Sequence, residues 1–108
     1  MEKYCVVTVT VPDIESGEKL ARLIVNARLA ACVQVSMHPV KSFYWWDKQV
    51  KEQMEYTISI KTETDVFYKL KEIIVKNHPY TVPEILLIPV PCGLSSYFQW
   101  IDEEMTNL

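Results

Sequence analysis

The chain has 108 residues and is poor in glycine, in cysteine and in runs of positive charge. Because Gly17 and Gly93 are the only glycines, neither a Walker A loop nor a dinucleotide-binding glycine motif is present. The net charge is −3, and no run of Lys and Arg marks a nucleic-acid-binding face. We therefore expect no nucleic-acid partner and no phosphate-binding glycine loop.

The three cysteines are Cys5, Cys32 and Cys92. Their odd number and wide spacing are typical of reduced thiols in a cytosolic protein rather than of a disulfide framework. No apolar run approaches the roughly 18 residues of a membrane span, and no apolar segment follows a basic start. We therefore expect a cytoplasmic protein with no membrane partner, folded as one domain over residues 1–108.

The hydrophobic pattern alternates along the chain between the strand period of two and the helical period. It predicts a strand over Tyr4–Val11, hairpin arms over Val33–Trp46 and Tyr56–Thr62, and a strand over Ile85–Val90. Helices fill the gaps, and a short one ends the chain. This order predicts an α+β fold: a ferredoxin-like, split β-α-β sandwich with an antiparallel sheet, an extended β-hairpin and a short C-terminal helix.

Individual residues set the predicted boundaries of these elements. Asp13 is expected to cap the first helix by accepting a backbone N–H, and Thr64-Asp65 to cap the second. Gly17, in the first turn of the first helix, is expected to weaken it slightly. Pro39 has no N–H to donate, so it predicts a bulge or an edge position in the hairpin. Pro79 is expected to end the second helix.

Four aromatic residues, Phe43, Tyr44, Trp45 and Trp46, follow one another near the hairpin tip. Hairpin arms of about a dozen residues are roughly twice the usual strand length, and a domain of this size cannot cover them. An exposed aromatic edge would aggregate unless another subunit packed against it. The hairpin therefore predicts an oligomer.

Three residues are candidate metal ligands, each with an alternative. His78 is either a ligand or a helix-terminal residue that bonds the last carbonyls of the helix. Cys32 is either a soft ligand or a small buried hydrophobe. Glu84 is either a carboxylate ligand or the partner of Lys48 or Lys61 across a subunit boundary.

Tyr80, Tyr44 and Trp46 are candidates for the wall of an inter-subunit cleft, although interface packing also explains Trp45 and Trp46. The acidic run 102–104 is expected to be a solvated helix end. No nucleophile–base signature and no paired acidic motif is present. We therefore expect no enzymatic activity.

Three motifs in this order resemble the CutA divalent-cation tolerance family over nearly the whole chain. They are RLAACV at 28–33, FYWW at 43–46 with IKT at 60–62, and HPYTVPEI at 78–85. The resemblance implies a ferredoxin-like fold, a tight trimer built by the hairpins and a cytoplasmic location. It also implies a link to copper and other divalent cations.

The resemblance therefore suggests a non-enzymatic homotrimer with weakly bound copper or another divalent ion. The alternative is a trimer like the PII signalling proteins, which binds a small anionic metabolite in inter-subunit clefts. Two positions depart from the family pattern. Residues 47–49 read Asp-Lys-Gln where the family usually has an acidic residue, Gly and Lys, and Thr81 stands where an acidic residue is usual.

Overall fold

The computed structural model describes residues 1–106 and bears out the predicted order of elements, with the first hairpin arm divided in two. The strands are β1 (Tyr4–Val11), β2 (Cys32–Val35), β3 (Val40–Trp46), β4 (Gln49–Glu63) and β5 (Ile85–Pro89). The α-helices are α1 (Ile14–Asn26), α2 (Phe67–Asn77) and α3 (Ser95–Thr106). A short 3₁₀ turn, Thr64–Val66, precedes α2.

The sheet is antiparallel, with the strand order β2-β4-β1-β5. The first half of β4 extends beyond this sheet and pairs with β3, which forms the long hairpin. Pro39 lies in the break between β2 and β3, outside both strands, rather than at a bulge or an edge position within one arm. The second arm begins at Gln49 rather than at Tyr56, because the connection at the tip is a tight turn of only two residues, Asp47 and Lys48.

The core lies between one face of the sheet and helices α1 and α2. Alternate residues of β1 are fully buried, as the sequence predicted for Val7, Val9 and Val11. The helices contribute buried residues at helical spacing, which are Leu20, Ile24, Leu70 and Ile74. Each such side chain stabilises the fold by about 1.5–3 kcal/mol through burial.

The predicted cap of α1 is confirmed and that of α2 is wrong. Asp13 Oδ1 accepts a hydrogen bond of 2.7 Å from the Ser16 amide. Helix α2 begins after Val66, and no side chain caps it. The hydroxyl of Thr64 instead donates to the carbonyl of Glu2 at 2.6 Å, because the end of β4 lies beside the start of β1.

Large apolar side chains remain uncovered on the hairpin and on the outer face of the sheet. Trp45 is 73% exposed at the hairpin tip. Leu86 and Ile88 of β5 are also exposed, because strand alternation points them away from the core, which their neighbours Ile85 and Leu87 contact. Within residues 1–106, no helix has both the length and the apolar character needed to cross a bilayer.

Candidate functional site

A cleft of about 780 Å³ opens between the hairpin and the loop that joins α2 to β5. We call it the hairpin cleft. Its lining residues are Thr10, Ser42, Phe43, Tyr44, Trp46, Gln53, Glu55, Pro79, Tyr80, Thr81, Val82, Pro83 and Glu84. This volume lies within the range of small-molecule sites, about 300–1,000 Å³.

Strand geometry explains which hairpin residues face the cleft. Side chains alternate between the two faces of a strand, so Ser42, Tyr44 and Trp46 share one face of β3. Ser42 pairs with Gln53 and Val40 pairs with Glu55, which brings Gln53 and Glu55 to the same face. The opposite wall is the loop after α2, which contains two prolines and so has restricted backbone freedom.

Pro79 accounts for the position of this loop. The residue before a proline is disfavoured in the helical region, and His78 is extended, with φ −93° and ψ 138°. Helix α2 accordingly ends at Asn77, as the sequence predicted. The chain then turns towards β1 and brings Tyr80 to the hairpin.

Three hydrogen bonds connect the side chains of the cleft in sequence. Tyr44 Oη donates to Gln53 Oε1 at 2.6 Å, and Gln53 Nε2 donates to Tyr80 Oη at 2.7 Å. Tyr80 Oη in turn donates to Glu55 Oε2 at 3.0 Å. Burial, with the hydrogen bond to Glu55 as the next cause, raises the pKa of Tyr80 to about 12. Tyr80 therefore keeps its proton at neutral pH and remains a donor to Glu55.

Glu55 is the most buried charged group of the cleft, with 8% of its surface exposed. None of the ion pairs formed within residues 1–106 includes it. A buried charge is costly unless it is paired or well hydrogen-bonded. The cleft thus contains a carboxylate that has one hydrogen bond from Tyr80 and no cationic partner in the described chain.

His78 connects the loop after α2 to strand β1 next to the cleft. Its Nε2 donates to the Thr10 carbonyl at 2.7 Å, and its Nδ1 accepts from the Tyr80 amide at 3.0 Å. One donor and one acceptor nitrogen define the neutral imidazole. The carbonyl is on β1, not on the end of α2. A metal ion at His78 would displace one of these hydrogen bonds, so the metal role stays a prediction.

Four of the residues predicted for a site lie together in the cleft, and they are Tyr44, Trp46, Tyr80 and Glu84. Glu84 is exposed at the rim. The sequence analysis missed Gln53 and Glu55, which connect these residues. Glu55 lies one residue before the predicted start of its strand and is out of phase with the buried Ile58 and Ile60, so the period-two pattern of β4 gave no signal for its burial.

The other predicted residues lie elsewhere. Cys32 pairs with Lys61 where β2 begins, and the Lys61 ammonium donates to the side chain of Gln34. His78 contacts Thr10, which pairs with Thr57 of β4. Thr57 lies four residues before Lys61, the partner of Cys32, and is therefore about 13 Å from it along the strand. Cys32 and His78 therefore do not meet within one subunit.

The described residues do not form a metal site by themselves. Within residues 1–106, no three His, Cys, Asp or Glu side chains converge closely enough to hold a metal ion. Structural zinc sites use four protein ligands, and catalytic ones use three. A closed metal centre in one subunit therefore does not fit this chain.

A second polar cluster lies where α3 meets the sheet. Asp102 Oδ2 accepts a hydrogen bond of 2.8 Å from Tyr4 Oη, and Lys3 Nζ lies 3.1 Å from Asp102 Oδ1. Burial and a hydrogen bond to Asp102 raise the pKa of Glu63, whereas hydrogen bonds from Glu63 and Tyr4 lower the pKa of Asp102. The prediction of a solvated helix end is wrong for Asp102, which is half-buried.

The antiparallel sheet with its helices is a ferredoxin-like α+β fold, as the sequence predicted. The sequence profile of the CutA1 divalent ion tolerance protein family matches residues 5–104. The chain therefore belongs to this family, which confirms the resemblance drawn from its motifs.

Individual relatives agree with this assignment. The chain is 42% identical over 98 residues to the divalent-cation tolerance protein CutA of Thermus thermophilus, which covers 91% of this chain and 94% of the relative. The structure of the periplasmic divalent cation tolerance protein CutA from Archaeoglobus fulgidus matches this one with a TM-score of 0.91 and 32% sequence identity. The match covers 94% of this chain and 98% of the Archaeoglobus chain. A chloroplastic protein CutA 1 of Oryza sativa is 38% identical over 96 residues, covering 89% of this chain and 54% of the relative.

Proposed function

We propose that this chain acts in divalent-cation tolerance as a non-enzymatic, cytoplasmic homotrimer that associates weakly with copper or another divalent ion. Family membership supports the link to divalent cations. The family name describes tolerance of ions rather than a reaction, which supports a role other than catalysis. The observation that carries the proposal is the uncovered apolar face of the hairpin.

That face carries large apolar groups from both strands. Trp45 pairs with Val50, and Phe43 and Met54 lie on the same side of the hairpin, where the Lys41–Glu52 ion pair is the polar exception. Phe43 is 64% exposed and Val50 is 58% exposed. Soluble monomers rarely expose extended apolar patches, and patches of this kind mark protein interfaces. A second and third copy of the hairpin would cover the patch in a closed ring.

Weak metal association follows from the ligands that one subunit offers. Glu84 is exposed, Cys32 is half-buried, and His78 must give up a hydrogen bond to bind. A metal ion would therefore take ligands from two subunits or from solvent, and would exchange readily. Copper should bind more tightly than zinc on general grounds of ligand affinity, so a preference for copper would not by itself identify the physiological ion.

Light scattering tests the assembly. We expect the mass of a trimer at micromolar protein concentration and a melting temperature that rises with concentration, because association stabilises the folded subunit. A monomer under these conditions would contradict the proposal.

Calorimetric titration with Cu²⁺ and Zn²⁺ tests the metal association. We expect His78→Ala to lose the most affinity, with smaller losses for Glu84→Gln and Cys32→Ser. Cys92→Ser, which alters another thiol outside the cleft, is the matched control for Cys32→Ser. Equal affinity of wild type and His78→Ala would remove His78 from the site. If neither wild type nor any variant releases or absorbs heat on titration, the proposed metal association is wrong.

The anionic-metabolite alternative has no comparable support. The lining of the hairpin cleft contains the carboxylates Glu55 and Glu84 and no Lys, Arg or His. Such a lining repels an anion, so we do not retain this alternative for the cleft.

A further inference from the structure

We propose that the hairpin cleft binds an organic ammonium ion, a small amine with an apolar body. Glu55 would be the counter-ion, and the aromatic side chains of the cleft would enclose the apolar part. This inference goes beyond the proposed function, because neither trimer assembly nor metal association requires Glu55 to hold a ligand.

The charge of the lining is the first argument. Glu55 is more than nine-tenths buried and lines the cleft, and within residues 1–106 it forms no ion pair. Glu84 adds a second carboxylate at the rim, with no cationic side chain in the lining. A buried carboxylate next to open space favours a cation that reaches it, since the ammonium group supplies the charge that the chain does not.

The orientation of Glu55 is the second argument. Tyr80 holds one carboxylate oxygen, and Gln53 and Tyr44 hold Tyr80 in turn. Because each side chain in this series is fixed by the next, Glu55 is oriented before a ligand arrives. Such preorganisation lowers the entropic cost of binding.

The aromatic walls select the kind of cation. Tyr44, Trp46 and Tyr80 all line the cleft, and aromatic faces attract weakly hydrated organic cations. A hard metal ion instead prefers several oxygen ligands around it, about six to eight for Ca²⁺. Within residues 1–106, no three His, Cys, Asp or Glu side chains are grouped closely enough to hold such an ion. The cleft volume of about 780 Å³ also suits a small molecule better than a bare ion.

Trp45 and Val50, which we expect to be covered by another subunit, lie on the opposite face of the hairpin from Tyr44 and Glu55. The main competing occupant is a lysine from a second copy, and Lys48 at the exposed hairpin tip is the best placed to reach a neighbour.

The test is a titration of the intact protein with phenethylamine, which carries an ammonium group at neutral pH. Phenethyl alcohol, of similar size and without charge, is the matched ligand control. Binding is followed by calorimetry and by tryptophan fluorescence, to which Trp46 would contribute. We expect phenethylamine to bind at least about tenfold more tightly than the alcohol, because charge-assisted hydrogen bonds are the stronger ones.

Variants assign the binding to Glu55. Glu55→Gln should lower the affinity for phenethylamine at least about tenfold, since it removes the charge and preserves the shape. Glu52→Gln is the matched control, because Glu52 is on the same strand, faces away from the cleft and pairs with Lys41. Tyr80→Phe should weaken binding less, because it alters only the orientation of Glu55. Circular dichroism and light scattering confirm that each variant is folded and assembled.

Three outcomes would overturn the proposal. Equal affinity for phenethylamine and phenethyl alcohol would show that the cleft binds the apolar part of the ligand and does not distinguish its charge. Equal loss in Glu55→Gln and Glu52→Gln would show a general electrostatic effect. Binding that appears only in Lys48→Met would show that a lysine of a second copy occupies the cleft. The metal titration alters other residues, so its failure and the failure of this inference are distinguishable.

Discussion

Gly17 lies where α1 packs directly against the sheet. A Cβ atom on this residue would lie 2.9 Å from Val35 Cγ1 and 3.3 Å from Val11 Cγ2. Real Cβ atoms do not approach other atoms as closely as the first of these distances. Sequence reasoning assigned Gly17 only a small loss of helix stability, whereas the structure shows that it allows the helix to pack against two β-branched residues.

We predict that Gly17→Ala destabilises the protein by about 1 kcal/mol. Overpacking costs about 1–3 kcal/mol and outweighs the gain in helix propensity of about 1 kcal/mol, because valine side chains have few alternative rotamers. Chemical denaturation measures the change. Glu18→Ala, at the exposed neighbouring position, should stay within about 0.5 kcal/mol of wild type. A stabilised Gly17→Ala variant would contradict the packing argument.

Asp47 and Lys48 form the two-residue turn of the hairpin with φ values of 50° and 61°. Positive φ at both central positions defines the type I′ turn, which favours Asn or Asp followed by Gly. Asp47 suits the first position. Lys48 is at the second, where a side chain costs about 1–2 kcal/mol.

We predict that Lys48→Gly stabilises the hairpin by about 1 kcal/mol, because it removes this strain. The midpoint of chemical denaturation should rise. The same substitution at Lys51, within β4, should lower it, since glycine weakens a strand interior. A lower midpoint for Lys48→Gly would show that the lysine side chain itself stabilises the protein.

Helix α3 is attached to the start of β1 by contacts that span almost the whole chain. The rings of Tyr4 and Phe98 are stacked, with centroids 4.1 Å apart. Asp102 joins Tyr4, Lys3 and Glu63 in the polar cluster beside them. Because its partners are so distant in sequence, local pattern analysis assigned Asp102 to a solvated helix end.

The paired carboxyl groups of Glu63 and Asp102 predict how the stability of the fold depends on pH. The pKa of Glu63 is raised from its ordinary value of 4.5, chiefly by burial and then by its hydrogen bond to Asp102. The folded protein therefore binds more protons than the unfolded chain just above pH 4.5, and stability falls as the pH rises through the folded pKa. The pKa of Asp102 is lowered from 3.8, so its contribution is lost as the pH falls below that value.

We predict that Glu63→Gln abolishes the loss of stability above pH 4.5, because glutamine keeps a hydrogen-bond donor beside Asp102 without gaining charge. Thermal unfolding between pH 4 and pH 7, about the window set by the shifted group, measures the effect. Glu103→Gln, on the exposed side of α3, should follow the wild-type profile. An unchanged profile for Glu63→Gln would assign the pH dependence to other groups.

At the scale of the whole molecule, the subunit measures 44 × 26 × 25 Å and leaves its hairpin uncovered. The sequence anticipated this surface from strand length and from the aromatic run. We predict that Trp45→Ala raises the dissociation constant of the assembly by at least about 30-fold, because central aromatic contacts contribute about 2 kcal/mol or more.

Analytical ultracentrifugation measures the change in association. Tyr68→Ala is the control, because Tyr68 is an aromatic residue on α2 that is 75% exposed and distant from the hairpin in sequence. An unchanged dissociation constant for Trp45→Ala would place Trp45 outside the interface and leave its exposed ring free for a ligand.

The elements of this protein were determined by the sequence itself. Alternation in β1, helical spacing around Leu20 and Leu70, and the positions of Pro39 and Pro79 predicted the order of strands and helices, since these signals act over a few residues. The aromatic residues Tyr44, Trp46 and Tyr80 belong to recognisable motifs, and the sequence grouped them as the wall of a cleft between subunits. The structure places all three in a cleft within one subunit.

Only the tertiary structure decided which polar groups work together. The sequence presents Glu55 as an ordinary strand glutamate, and only the fold brings Tyr80, 25 residues away, close enough to donate to it in the hairpin cleft. Asp102 is an ordinary helix carboxylate until Tyr4, 98 residues away, donates to it. The physical reason is that burial and hydrogen bonding depend on distances in space, and the sequence pattern reports only the local periodicity of each element.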